Sequence, residues 1–508
     1  YKKYFDRLQK EEFDDYIEKF FNSVTTIFDP HTNYLPPKKK EDFDIDISGQ
    51  LEGIGAVLSE DGSYIKVVTI IPGGAAWRQK DLEVEDVILL VTQENGEVTD
   101  LVDMRVDDAV RYIRGPKDSV VKLTVKKVDG TIKVIPITRD VVQIEENFAK
   151  SSVIEHKKLG LKVGYIYVPK FYRDFNGAQG NVTDDVRAEL ERLKKDKVSG
   201  VILDLRNNGG GALEDARLMS GLFIEKGPIV QVKDHRAKID IQEDTNSSVT
   251  YDGALIVLIN KFSASASEIV AAAMQDYKRA VIVGGEFSHG KGTVQAVVNL
   301  NNGPWLSLNN FDMGELKITI QKFYRINGGS TQYKGVTPDI ILPDPFAYTE
   351  GQEQELDYSL PWDKIEALKY NVWTKHKVDL EALKKRSAER VKTNKRFDLI
   401  KKSVDYLKQR RDDTAVSLNI DEVKAEDAAN KKMAEELKLE EINKEIVVSR
   451  MDESLLAHSS NKINKNDQKW KDEFESRKKD WAENLQKDPI LEESLYIMDD
   501  LIKMVGSR

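Results

Sequence analysis

Three short stretches hold residue types that can do chemistry together. The first, Lys261-Phe262-Ser263-Ala264-Ser265-Ala266-Ser267-Glu268-Ile269, joins the apolar run Ala254 to Ile259 to a helical pattern. Small residues at a strand-to-helix junction let a hydroxyl stand exposed while the first helical N–H groups point at whatever it attacks. That is the geometry of a nucleophile, although Ser and Glu at this spacing also make an ordinary N-terminal capping box. The second stretch is Gly285-Glu286-Phe287-Ser288-His289-Gly290-Lys291-Gly292-Thr293-Val294-Gln295. It nearly spells a phosphate-binding loop. Gly292, however, stands where a hydroxyl residue should follow the lysine, and the β-branched run Thr293 to Leu300 predicts a strand where a helix is required. What remains is a lysine held between glycines, which apolar surroundings push toward its neutral form so that it can take a proton from serine. The third stretch, Asp204-Leu205-Arg206-Asn207-Asn208-Gly209-Gly210-Gly211-Ala212-Leu213, is another strand-to-helix turn, whose glycines allow close backbone approach and an unhindered N–H. Read with the others, it completes a set of nucleophile, base and oxyanion donor. A Ser-His-Asp triad has little support: there is no Gly-x-Ser-x-Gly elbow, and of six histidines only His289 lies near either motif.

The elements around these motifs predict how they are carried. Strands at Leu161 to Val168, Gly200 to Leu205, Ile229 to Val232, Ala254 to Ile259 and Ala280 to Val283 alternate with helices at Thr183 to Lys194, Ala212 to Phe223 and Ala264 to Tyr277. Such alternation means crossover units and a largely parallel sheet, with the chemistry at strand ends leading into helices. Ahead of this lies a compact stretch of short strands with one helix near Asp107 to Ile113, which opens with Leu51-Glu52-Gly53-Ile54-Gly55-Ala56-Val57-Leu58. Its order of pieces resembles a PDZ domain, in which a Gly-rich loop offers N–H groups to a peptide's terminal carboxylate and a strand edge pairs with the peptide. Residues from Tyr1 to about Tyr34 read as amphipathic helix, Pro36, Pro37 and Lys38 to Lys40 as a solvated linker, and the Lys/Glu-rich stretches Val378 to Gln409 and Asp421 to Asn443 as a helical accessory region. The expected units are residues 1–45, 46–142, 143–360 and 361–508, in an α/β multidomain chain.

Composition bounds the function. The 508 residues have room for about three domains and are 40% apolar and 32% charged, which excludes wholesale disorder. No run approaches the roughly 18 apolar residues of a membrane span, so the chain reads as soluble and globular. Lys+Arg 77 against Asp+Glu 87 leaves a net charge of -10, which argues against a nucleic-acid binder relying on global charge. With no cysteine, disulfides and thiolate chemistry are excluded. The first residues carry no signal-peptide pattern.

The three motifs, in this order behind a PDZ-like unit, resemble the C-terminal processing, or tail-specific, proteases of peptidase family S41. The resemblance also takes in Asp29-Pro30-His31-Thr32-Asn33-Tyr34-Leu35, Thr319 to Pro338, and Leu360-Pro361-Trp362-Asp363. It implies a crotonase/ClpP-like protease core with an inserted PDZ domain and a helical C-terminal domain. It further implies Ser265 as nucleophile, Lys291 as general base, Gln295 as the residue that orients the lysine, and the N–H groups of Gly211 and Ala266 as oxyanion hole. Gly53, Ile54, Gly55 and Ala56 would bind the substrate's C-terminus. Implied partners are proteins or peptides with apolar C-termini, and an adaptor is compatible with the family. The implied location is the periplasm or cell envelope, with an export signal outside this sequence; no metal or cofactor is implied. Gly284 to His289 is one residue longer than the family's usual approach to the lysine and lacks its proline. A reading from another class stays open: a catalytically silent, PDZ-bearing scaffold that binds C-terminal tails.

Overall fold

The computed structural model describes residues 5, 8–174, 180–302, 312–375, 377–451 and 468–506. The start of the N-terminal helical reading, at Tyr1, therefore lies outside the described residues. The chain forms two compact units, one of Tyr1–Ile17, Glu41–Phe148 and Glu453–Arg477, the other of Glu18–Lys40, Ala149–Asp452 and Lys478–Arg508.

In the first unit, strands Ala56–Asp61, Tyr64–Ile70, Val87–Thr92, Val120–Lys126 and Ile132–Thr138 lie side by side in that order, each antiparallel to the next. Val120–Lys126 shows why: Val121, Leu123 and Val125 alternate inward, fully buried, while Lys122 and Lys126 face water. The buried stripe packs with Ile65, Val67, Ile88 and Leu101, and with Ala109 and Ile113 of the helix Val106–Ile113. Ala56–Asp61 is one edge of the sheet and Ile132–Thr138 the other.

The second unit is built on a seven-stranded sheet ordered Ile340–Ile341, Val281–Gly284, Ala254–Ile259, Gly200–Asp204, Leu161–Tyr167, Lys150–His156 and Ile446–Met451. The first five run parallel and the last two pairings are antiparallel. Every residue of Gly200–Asp204 and Ala254–Ile259 is buried, as expected of parallel strands covered on both faces. The crossover helices are Val182–Lys195, Leu213–Gly221 and Ala266–Asp276. A second sheet places Glu315–Tyr324 between Thr293–Asn299 on one side and Asn33–Leu35 and Gly227–Asp234 on the other.

Three elements differ from the sequence reading. Pro37–Ser48, whose first residues Pro37 to Lys40 read as linker, is a helix with proline at its first position, where a missing N–H costs nothing. The stretch read as continuous helix from Val378 splits at Asn394, whose side chain accepts the Arg396 N–H and caps the next helix, Lys395–Asp412. Ile446–Met451, within the Lys/Glu-rich region, is a strand against Lys150–His156. The C-terminal helices also share the sheet's core: Phe397, Ile400, Leu491, Leu495 and Met498 pack with Val163, Ile202, Ile256 and Leu258.

Candidate active site

The topology alone brings the three motifs together. Gly200–Asp204 runs beside Ala254–Ile259, with Asp204 opposite Leu258, and Ala254–Ile259 runs beside Val281–Gly284, with Ile259 opposite Gly284. The glycine turn, the serine turn and the lysine loop therefore leave the carboxyl ends of three adjacent parallel strands, where such sheets place their ligands.

Ser265 lies at the N-terminus of the helix Ala266–Asp276 with φ of 55°, a left-handed conformation that a non-glycine residue adopts at a cost. Its two serine neighbours are spent on structure. Ser263 donates to Leu205 O at 2.8 Å, Ser267 donates to Asn208 O at 2.9 Å, and both are fully buried. Ser265 is half-buried, and its hydroxyl donates to no described residue. Gly210 closes on it so tightly that a Cβ there would stand 2.8 Å from Ser265 Cβ. This turn is pinned by Asn208, whose Oδ1 accepts the Gly210 N–H at 2.9 Å. Gly211 bridges Phe171 through Gly210 O and the Ala212 N–H, and its own N–H has no acceptor among the described residues. Ala266, as the first helical residue, has no intrahelical acceptor for its N–H.

Glu268 joins the serine and lysine loops. Completely buried, it accepts the Ser265 N–H at 2.8 Å and the Lys291 N–H at 3.0 Å on Oε2, and the Ser288 hydroxyl at 2.5 Å and the Gly290 N–H at 2.7 Å on Oε1. Burial pushes its carboxyl up to about 8, while these four donors pull the other way. The capping box foreseen in the sequence supplies only the Ser265 bond; the rest of the role spans twenty or more residues of chain and left no local signal. The longer approach to the lysine is likewise closed by Ser288, which accepts the Val336 N–H at 2.7 Å.

Lys291 precedes the strand Thr293–Asn299, so the loop does lead into a strand rather than the helix a phosphate site needs. Burial, aided by Lys317, lowers the lysine's pKa to about 8 against the opposing pull of Glu353, Glu268 and Asp29. Its ammonium makes no hydrogen bond or ion pair with a described residue, and no direct Ser265–Lys291 hydrogen bond is found among the described residues. Gln295 Nε2 donates to Thr293 Oγ1 at 2.9 Å and Thr319 Oγ1 at 3.0 Å, not to the lysine. His289 lies in the loop and donates its backbone N–H to Ser263 O at 3.0 Å.

In the first unit, Gly53, Ile54, Gly55 and Ala56 form the entry to the edge strand Ala56–Asp61. Ile54 O accepts the Ala76 N–H at 2.8 Å and Gly55 O accepts the Ile71 N–H at 2.9 Å. Gly55, at φ of 77°, comes so near Gly74 that a Cβ would meet Gly74 Cα at 3.0 Å.

Residues 162–342 match peptidase family S41, residues 44–126 match the PDZ domain, and residues 346–503 match the C-terminal domain of tail-specific protease. A tail-specific protease of Haemophilus influenzae is 39% identical over 83% of this chain, and the chain spans 59% of that relative's length. A solved PDZ domain of a carboxy-terminal protease from Vibrio cholerae, in complex with peptide, is 42% identical over 18% of this chain and 98% of its own, with a TM-score of 0.18. A carboxy-terminal-processing protease of Bartonella bacilliformis is 30% identical over 65% of this chain and 70% of its own length. PDZ, peptidase and tail-specific C-terminal regions thus follow one another along the chain, which belongs to the carboxy-terminal-processing proteases of peptidase family S41.

Proposed function

We propose that this protein is a serine endopeptidase that recognises the C-terminal tails of proteins through its PDZ unit and cuts them with Ser265 and Lys291. The observation that carries the reading is Glu268, whose single oxygen takes the N–H groups of both residues and so holds nucleophile loop and base loop to one point. Ser265 Oγ attacks the scissile carbonyl carbon while neutral Lys291 takes the hydroxyl proton. The carbonyl oxygen becomes an oxyanion received by the Gly211 and Ala266 N–H groups. As the C–N bond breaks, Lys291 returns the proton to the leaving amine; it then deprotonates the water that attacks the acyl-enzyme and passes that proton to Ser265 Oγ as the ester C–O bond breaks. The missing direct serine–lysine hydrogen bond fits a resting enzyme, since such contacts tighten when substrate binds. Gln295 is assigned a supporting role beside the base.

Tail recognition is assigned to Gly53–Ala56. The Ile54 and Gly55 carbonyls are already occupied, so what the loop can offer a ligand is N–H, which suits a terminal carboxylate. The tail would add to the edge of Ala56–Asp61, and tethering raises the effective concentration of bonds reaching Ser265. The family resemblance carries with it a periplasmic or cell-envelope setting, and no described helix is long and apolar enough to cross a membrane.

The test is degradation of a protein substrate ending in apolar residues. Wild-type protein should degrade it much faster than the same substrate with an amidated terminus or with aspartates at its end. Ser265→Ala and Lys291→Ala should each abolish cleavage, and Ser263→Ala should not. Equal rates on free-acid and amidated tails, well below saturation, would contradict tail reading. Tail binding without cleavage by the wild type would favour the silent scaffold.

A further inference from the structure

A second buried carboxylate, Glu353, lies beside the base loop and has no part in the chemistry above. Its side chain is 1% exposed. Oε1 accepts Gln332 Nε2 at 2.8 Å, and Oε2 lies 2.8 Å from His31 Nε2 and 4.0 Å from His289 Nδ1. Its backbone N–H donates to His289 O at 3.2 Å. The other end of Gln332 accepts the Gly292 N–H at 2.7 Å, and Gly292 packs so closely that a Cβ would stand 2.6 Å from Gln332 N. The backbone on either side of Lys291 is therefore tied to a buried carboxylate: to Glu268 directly at Gly290 and Lys291, and to Glu353 through Gln332 at Gly292.

We propose that Glu353 is a positioning residue for Lys291, holding the lysine's carboxyl side through Gln332 and steering its proton with a fixed negative charge. The proposal rests on Lys291 being the general base. Glu353 lies in the stretch matching the tail-specific C-terminal domain, so the region after the peptidase core would take part in setting the base. The charge is maintained: burial works to raise the Glu353 carboxyl, but the His31 hydrogen bond and imidazole, with Gln332, outweigh it and hold the group below the usual range. Titratable groups face Lys291 from each neighbouring element: Lys317 from Glu315–Tyr324, Glu268 from the serine helix, Asp29 from the N-terminal segment, and Glu353. His289, on the same loop, faces Glu353, His31 and Lys291 and is held toward neutrality by burial.

The pH profile of kcat/KM separates this role from a merely structural one. Glu353→Gln keeps the acceptor for Gln332 and removes the charge. A lysine that has lost a nearby negative charge releases its proton more easily, so the acid limb should move to lower pH by roughly half a unit or more. Glu353→Asp keeps the charge and shortens the reach; its limb should stay in place while plateau kcat falls about tenfold and KM changes little. A limb left at the wild-type position in folded Glu353→Gln overturns the proposal. If that variant does not fold, Glu353→Asp decides, and a wild-type plateau overturns the proposal. Lys291→Met distinguishes the two readings: if it still cleaves, the base assignment itself has failed, whereas an inactive Lys291→Met with an unmoved Glu353→Gln limb rejects only the positioning role.

Discussion

The glycine turn beside Ser265 and the Gly53–Ala56 loop, proposed to receive an oxyanion and a terminal carboxylate respectively, are held in different ways. Buried side chains lock the first: Asn208 takes the Gly210 N–H, and Glu268 takes the Ser265 and Lys291 N–H groups. Backbone partners hold the second, with the Ala76 and Ile71 N–H groups on its carbonyls and Ile54 buried in the unit's core. A charge that exists only in a transition state is stabilised by donors that need not reorganise, which favours fixing them with side-chain networks. A charge already present on a ligand needs an accessible turn and an open strand edge, and a backbone-held loop suffices.

Perturbing each turn should break different kinetic constants. The largest effect is expected from Gly210→Ala, because a left-handed φ of 104° and a 2.8 Å approach to Ser265 Cβ leave no room for the methyl group. Its kcat should fall about a hundredfold or more, with tail affinity unchanged in a peptide-binding measurement. Gly55→Ala meets Gly74 Cα at 3.0 Å at φ of 77° and should act on the other side of the comparison. It should raise KM for a tailed protein about tenfold while leaving kcat for a short untailed peptide as it was. A matching loss on the short peptide would show that the loop does more than read tails. The smallest effect is expected at Gln295, whose amide bonds two threonine hydroxyls. Gln295→Ala should lower kcat by about threefold to tenfold and KM less; an unchanged kcat would make it an ordinary strand glutamine.

The same contrast explains what could be read from sequence. The serine, lysine and glycine stretches were legible as short strings that alternation places at strand ends, and the structure brings them to three adjacent strands; the choice of Ser265 among the three serines came from the family resemblance. Glu268 was half legible, since its bond to Ser265 is three residues long and its bond to Lys291 twenty-three. The contact between His31 and Glu353, which stand 322 residues apart, left no periodic or local trace. Ile446–Met451 was missed because its strand character comes from pairing with Lys150–His156, not from its surroundings in sequence. The helix at Pro37 is hard to read because proline both ends a preceding helix and begins a new one, and the sequence around it carries no further start signal.

The central claim, that neutral Lys291 activates Ser265, is tested most directly by the pH dependence of acylation. With a serine-reactive probe and mass-spectrometric location of the adduct, the rate at Ser265 should rise with pH to a plateau, because only the deprotonated lysine can accept the hydroxyl proton. The midpoint should fall near pH 8, the value to which burial lowers the lysine, rather than near the ~10.4 of a free one. Lys291→Arg should remain unlabelled across the range, since guanidinium does not give up its proton. An adduct on Ser263 or Ser267, a flat profile, or labelling of Lys291→Arg at the wild-type rate would contradict the account.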